Sequence, residues 1–407
     1  MTEPQNAAAQ PVPGIGVRRR DKSTDAGDRF LSLEDFEAVA RRRLPSMLYG
    51  FIAGGAETNA SIRANARSFQ DYAFIPRVLA DVSARSHRTT LFGRSYAAPF
   101  GIAPTGSASI CAYRGDIALA RVASESDIPM IVSAASLIRL EEIRQAGATT
   151  WYQAYLPGDP ARIEPLVARV AASGYDTFVL TADVPVAANR ENNIRNGFTV
   201  PIRPSVRLVW EGLTHPQWLL GTFARTLALH GVPHFENMDA TRGPPVISRR
   251  LERALGNRDQ LSWDHVKIIR RLWQGPFVVK GILSPADART ARNCGVDGII
   301  VSNHGGRQLD GAIAPLAVLP RIVEAAEGMT VMLDGGIRRG SDVLKALALG
   351  ADFVFAGRPF LFAAVADGER GVRRAIDILC SEISRNMALL GIREVAEIGA
   401  ELIARSE

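Results

Sequence analysis

Eight short apolar runs, each ending in polar or Gly/Pro residues and followed by a helical stretch, constrain the fold of this chain most. They are Phe100–Ala103, Pro129–Val132, Thr150–Gln153, Thr177–Leu180, Phe277–Lys280, Gly298–Val301, Thr330–Leu333 and Phe353–Ala356. Continuous rather than alternating apolar character is what a strand buried on both faces requires, and such strands belong to parallel sheets covered by helices. The helices between them are legible too. Ser284–Cys294 and Ser341–Leu349 each begin with a serine suited to cap a helix N-terminus, and Pro285 follows the first of them. Eight strands alternating with helices predict an α/β chain folded as a (β/α)₈ barrel; a doubly wound sheet is the competing arrangement.

In such a barrel the chemistry gathers at the C-terminal ends of the strands. Here those ends carry Pro104-Thr105-Gly106, Ser133, Gln153 with Tyr155, Thr181 with Asp183, Lys280, Ser302-Asn303-His304-Gly305-Gly306-Arg307, Asp334-Gly335-Gly336 and Gly357-Arg358. A core has no use for so regular a set of polar groups. His304 can exchange a proton near neutral pH, and Asp183, two strands away around the barrel mouth, can fix its tautomer and stabilise its charged form. That makes His304 the candidate general base. Arg307, and Arg190 after the fourth strand, offer donor forks for a carboxylate, and Tyr155 a hydroxyl to a substrate. Lys280 closes an apolar run, where it can form a Schiff base or set a positive charge against an electron-rich cofactor. Glycines with Arg338 and Arg358 after strands seven and eight suit a phosphate. Neither a Walker lysine loop nor a dinucleotide fingerprint is present.

The remaining chain divides around this barrel. Residues 1–28, rich in Pro, Ala, Gly and charge, read as a flexible arm, and residues 29–97 as a helical segment packing on the barrel. Ser32 with Asp35 three residues on is a helix start, and Pro45 leads into a second helix through Leu48 to Ile52. The barrel proper spans 98–395, and 396–407 form a tail. A long insert, 197–262, follows the fourth strand; Leu219, Leu220, Phe223 and Leu227 form an apolar stripe at helical spacing. The insert is a lid, a subunit contact or a membrane-facing surface.

Charge narrows the partners. A net +6 from 48 basic and 42 acidic residues is a mixed surface without the basic-aromatic interleaving of a nucleic-acid groove; it suits an anionic small molecule, a cofactor phosphate or a membrane surface. Cys111, Cys294 and Cys380 make no disulfide or metal pattern and fit a reducing compartment. No metal site is expected, and no apolar run is long enough to cross a membrane.

From about residue 30 to 395 the chain resembles the FMN-dependent 2-hydroxy acid dehydrogenase/oxidase family, which includes glycolate oxidase and bacterial L-lactate and mandelate dehydrogenases. The resemblance is carried by Ser302–Asp310, Leu333–Gly340, Val279-Lys280-Gly281, Leu180-Thr181-Ala182-Asp183, Tyr152-Gln153-Ala154-Tyr155 and Gly54-Gly55-Ala56-Glu57. The segment Thr214-His215-Pro216-Gln217-Trp218 is similar to the lactate dehydrogenase branch. The resemblance implies FMN across the barrel mouth and flavin-dependent oxidation of an (S)-2-hydroxy acid to the 2-oxo acid. By it, His304 takes the proton, paired with Asp183; Arg307 and Arg190 bind the substrate carboxylate; Tyr155 contacts the substrate; and Lys280 neutralises charge on the reduced flavin. It places Gln153, Thr181 and Ser133 on the flavin ring, with Pro104, Thr105 and Gly106 bordering it, and counts Ser302 among the cofactor-binding residues. Asp334, Gly336, Arg338, Gly357 and Arg358 are placed on the ribityl chain and phosphate.

Two positions depart from the family pattern. Phe51 stands where relatives usually carry a second substrate-contacting tyrosine, and Ala135 where many carry something larger. They imply a pocket for a lactate-like or larger, mandelate-like substrate that lacks one hydrogen bond to the carboxylate; Tyr49 compensates only if the helix register differs. The insert and positive charge imply electron transfer to a quinone or another non-oxygen acceptor. They also imply a cytoplasmic chain peripheral on the inner face of the cell membrane, and the resemblance implies a homotetramer. A soluble oxidase forming peroxide, a Schiff-base aldolase barrel using Lys280 and a non-catalytic flavin-binding scaffold stay open as alternatives.

Overall fold

The computed structural model describes residues 29–198, 205–248 and 258–406. The proposed arm, 1–28, and the insert residues 199–204 and 249–257 lie outside the described residues. Eight parallel strands close in chain order into one barrel: β1 (Phe100–Ile102), β2 (Met130–Ser133), β3 (Thr150–Ala154), β4 (Phe178–Thr181), β5 (Phe277–Ile282), β6 (Gly298–Val301), β7 (Thr330–Asp334) and β8 (Phe353–Ala356). β8 returns to β1 through Val354 opposite Phe100, which rules out the doubly wound alternative.

Why the site opens at one end follows from packing. Ile131, Trp151, Val179, Val278, Ile300, Met332, Phe353 and Phe355 fill the barrel interior. A hairpin, Thr89–Leu91 with Arg94–Tyr96, plugs its N-terminal end: Phe92 lies 5.8 Å from the Trp151 ring and Tyr96 6.0 Å from Phe353. Full burial of a side chain such as Phe353 contributes roughly 1.5–3 kcal/mol, so the plugged end is held shut and the cleft forms at the other.

Helices α1 (Leu33–Arg43), α2 (Ser46–Ala53) and α3 (Ala60–Arg67) lead from the N-terminal segment to the rim of that cleft. α1 starts as expected, with the Asp35 carboxylate accepting from the Ser32 N–H at 2.8 Å, and Pro45 precedes α2. The C-terminal segment returns to this region, Ile403–Arg405 pairing antiparallel with Tyr72–Phe74.

Three expectations need correction. The helix after β7 runs Gly340–Ala348, starting one residue before Ser341; its first N–H, of Gly340, donates to the Glu382 carboxylate at 2.6 Å, and Asp342 accepts from the Arg338 and Arg339 N–H groups just ahead of the helix at 2.9 Å each. A carboxylate inside the first turn reaches back to the helix start, so a serine cap was not needed there.

The insert's apolar residues do not make one stripe. Leu219–Ala224 is a π-helical turn inside the helical run from Pro216 to His230, and its wider spacing brings residues five apart together. Trp218 therefore stacks on Phe223 at 5.3 Å and donates its indole N–H to the Ile110 carbonyl, while Leu220 and Leu229 face outward.

The expected cytoplasmic placement with attachment to the inner membrane face is also corrected. Among the described residues no helix is long and apolar enough to cross a membrane. The insert's exposed apolar side chains sit on short helical pieces, such as the nine residues Val206–Thr214, and no cellular address is assigned to the chain.

Candidate active site

The end of β6 turns through three consecutive residues with positive φ, His304 (59°), Gly305 (63°) and Gly306 (74°). For His304 this conformation costs on the order of 1–3 kcal/mol, which surrounding bonds must offset. They are present. The Ser302 hydroxyl accepts from the His304 N–H at 3.0 Å, and Asn303 accepts from Gly306 N–H at 3.0 Å. Asn303 is itself locked to Asn65 of α3 by two amide–amide bonds of 2.8 and 2.7 Å, both side chains buried. A side chain at Gly306 would meet the Ile62 backbone nitrogen at 2.7 Å, so glycine is required where α3 approaches.

So held, His304 places Nδ1 2.9 Å from the Asp183 Oδ1. Burial lowers the His304 pKa, outweighing the opposing pull of Asp183, whereas burial works to raise Asp183 and is outweighed by His304 and Lys280. Near neutral pH the pair is an ionised carboxylate accepting from a neutral imidazole. Nε2 is then the unprotonated, basic nitrogen, and it lies 3.4 Å from the Tyr155 hydroxyl, from which it can accept. Asp183 fits beside β5 because Gly281 sits at a bulge with φ +107°; a Cβ there would come within 2.6 Å of the Asp183 Cβ.

Beneath His304, Lys280 is buried. Its ammonium donates to Ser302 at 2.8 Å and pairs with Asp334 at 3.2 Å. Burial works to lower its pKa, but Asp334 and Asp183 prevail and raise it. A Schiff base needs a neutral amine; this lysine is held charged, which counts against the aldolase alternative.

Guanidinium groups crowd the rim. Arg307 Nη1 donates to the carbonyls of Phe51, Ile52 and Gly54, and Arg358 donates to Ile52, Gly54 and Gly305, so both tie the C-terminal end of α2 to the site. Arg190 donates to the Arg307 carbonyl and to Gln308. Burial first, then Arg190 and Arg358, drives the Arg307 pKa well below its usual value; burial and Arg338 bring Arg358 to about 10. Like charges so close together favour an anion between them.

The cleft, about 300 Å³, is lined by Phe51, Pro104, Thr105, Gly106, Ala135, Tyr155, Arg190, Lys280, His304, Arg307, Asp334, Gly336, Arg338, Gly357 and Arg358, among others. Ser133, Gln153, Thr181 and Ser302 lie buried at the same strand ends. Thr105 Oγ1, Gln153 Nε2, Thr181 Oγ1, Asp183 Oδ2 and Asp334 Oδ1 are buried without a partner. A ring of unsatisfied donors and acceptors at one barrel end requires a polar occupant. The set fits FMN, with Thr105, Gln153, Thr181 and Asp334 available to its heteroatoms and Arg338, Arg358 and the Gly335-Gly336 backbone available to a phosphate.

Phe51 faces the cleft without a hydroxyl, its ring 4.5 Å from Phe198 and 5.0 Å from the Arg307 guanidinium. Tyr49 does not compensate: its hydroxyl donates to Glu37 and its ring packs on Phe362. Sequence reasoning missed the Asn65–Asn303 lock, and it missed Phe198, Phe235, Met238 and Arg258, which complete the wall. A charged residue flanking an unreadable insert gave no signal; an asparagine in the Ser302–Asp310 motif did, and its partner did not.

Comparison with known proteins finds relatives over most of the chain. A family model described as FMN-dependent dehydrogenase matches residues 40–405. The L-lactate dehydrogenase of Stenotrophomonas maltophilia (strain R551-3) is 39% identical over 372 residues, covering 90% of this chain and 97% of that protein. The (S)-mandelate dehydrogenase of Pseudomonas putida is 37% identical over 378 residues, covering 92% and 94%. A crystal structure of the monotopic membrane protein (S)-mandelate dehydrogenase superposes with a TM-score of 0.86 at 35% identity, covering 93% of this chain and all of that one.

Proposed function

We propose, from the premise that the chain belongs to the FMN-dependent dehydrogenase family, that it oxidises an (S)-2-hydroxy acid of lactate size or larger to the 2-oxo acid. The observation that carries this reading is the His304–Asp183 pair, with the unprotonated Nε2 3.4 Å from the Tyr155 hydroxyl. FMN, when bound, supplies the two-electron acceptor. Arg307 and Arg190 bind and orient the substrate carboxylate, Tyr155 contacts the hydroxyl end, and His304 Nε2 takes the proton, its positive charge held by Asp183. Lys280 keeps a fixed positive charge under the ring site, preorganised by Ser302 and Asp334. Ser133, Gln153, Thr181 and the Pro104-Thr105-Gly106 segment hold the flavin ring; Asp334, Gly336, Arg338, Gly357 and Arg358 hold its ribityl-phosphate arm. Ala135 and Phe51 shape the wall that receives the substrate's side chain.

Electrons then pass to a quinone or other non-oxygen acceptor, a reading supported by the dehydrogenase names of the relatives. The assembly proposed is a homotetramer, which sedimentation would test. The central experiment is anaerobic mixing of the holoprotein with lactate, glycolate, mandelate and longer 2-hydroxy acids. Bleaching of the flavin band is expected with at least one of them, and no bleaching by any overturns the substrate class. Stoichiometric peroxide formation in air would overturn the acceptor.

A further inference from the structure

Arg258, at the end of the insert, is a cleft residue that this reaction scheme leaves unused. Its guanidinium lies 4.7 Å from the centre of the Tyr155 ring, and it is half-buried. Among the described residues it has no carboxylate partner and no hydrogen bond. Its cationic neighbour Arg162 is paired, with Asp239 at 2.6 Å. Burial lowers the Arg258 pKa, and its remaining electrostatic neighbours are Tyr155 and Arg162, not Arg190 or Arg307. It is thus a cleft cation additional to the pair assigned to the substrate carboxylate, lying over the Tyr155 ring. Phe198, Phe235, Met238 and Val184 supply an apolar wall in the same cleft.

A cation withdrawn from water without a partner is costly unless an anion reaches it. The cleft thus carries a further cation, stacked on the Tyr155 ring, beside an apolar wall. The geometry points to a 2-hydroxy acid with a second, distal carboxylate as the preferred substrate class, Arg258 being the residue that recognises the distal group. This rests on the reading of the cleft as a 2-hydroxy acid site and deepens it.

The test compares chain-matched pairs on the holoprotein. Calorimetry measures 2-oxoglutarate against 2-oxopentanoate, and anaerobic flavin reduction measures (S)-2-hydroxyglutarate against (S)-2-hydroxypentanoate. The wild type is expected to favour the dicarboxylate at least tenfold in both. Arg258→Met should lower that ratio at least tenfold, and Arg258→Lys should retain most of it. Equal affinity for the pair in the wild type, or an unchanged ratio in Arg258→Met, overturns the assignment; the wild-type comparison decides even if the variant does not fold. Bleaching by the monocarboxylate alone sinks this inference and leaves the 2-hydroxy acid reading standing. No bleaching by either series sinks both.

Discussion

Replacing Asp183 by asparagine removes one charge and keeps the side-chain shape that the bulge at Gly281 admits. When His304 takes the substrate proton, a cation forms against the carboxylate across the 2.9 Å Nδ1–Oδ1 contact. With charge centres about 4 Å apart and an effective dielectric near 20, that attraction is about 4 kcal/mol, or roughly three powers of ten in rate if fully developed in the transition state. Partial proton transfer reduces it, so the rate of anaerobic flavin reduction at saturating substrate should fall by about 10²–10³-fold. The flavin absorbance of the variant should match the wild type, since the change is remote from the phosphate cradle. The pH profile carries a second, independent sign. Activity requires neutral His304 and is lost as pH falls through its pKa, which burial lowers and Asp183 partly restores. Removing Asp183 takes away the restoring influence, so the acid limb must move to lower pH. A decrease under about tenfold, or a limb moving to higher pH, refutes the argument that Asp183 acts through the charge of His304.

Phe51→Tyr should restore a donor to the substrate carboxylate. A hydrogen bond to a charged group contributes roughly 1.5–3 kcal/mol, so the dissociation constant should fall about tenfold or more; unchanged or weaker binding would show that the Phe198 stack holds the ring away. Asp310→Ala removes an acceptor for Thr58 and Ser61 at the start of α3 and should lower stability to urea by about 1 kcal/mol. Burial works to raise the Asp310 pKa, but those hydrogen bonds bring it down to about 2. Its stabilisation is complete above the ordinary carboxylate range and fades as pH falls toward 2. The wild-type advantage should therefore shrink between pH about 7 and about 3; an equal advantage at both would contradict the role of the carboxylate.

The barrel was legible because parallel strands buried on both faces must be written as short apolar runs, and all eight runs fall on observed strands. His304, Asp183 and Lys280 were legible because each ends such a run. The insert was less so. A π-helical turn at Leu219–Ala224 breaks the helical period on which pattern reading depends, and Arg258 belongs to no pattern at all. The Asn65–Asn303 lock joins residues 238 positions apart, so only one partner sits in a recognisable motif. The choice between Tyr49 and Phe51 rests on helix facing: two residues apart on α2, they point to different neighbours, Glu37 and Phe362 for one, Phe198 and the cleft for the other.

What the amino-acid order determined by itself is the list of chemical groups at the open end of the barrel, because strand periodicity and chain order decide which residues leave the core there. Only the tertiary structure decided the state of those groups. Proton affinity depends on burial and on charges brought near from other strands, so a neutral His304, an ionised Asp183 and a charged Lys280 follow from contacts that no local pattern encodes. The same holds for the arginines. Arg307 and Arg358 anchor α2, while Arg258, identical in chemistry, lies over the Tyr155 ring in the cleft with no carboxylate partner among the described residues.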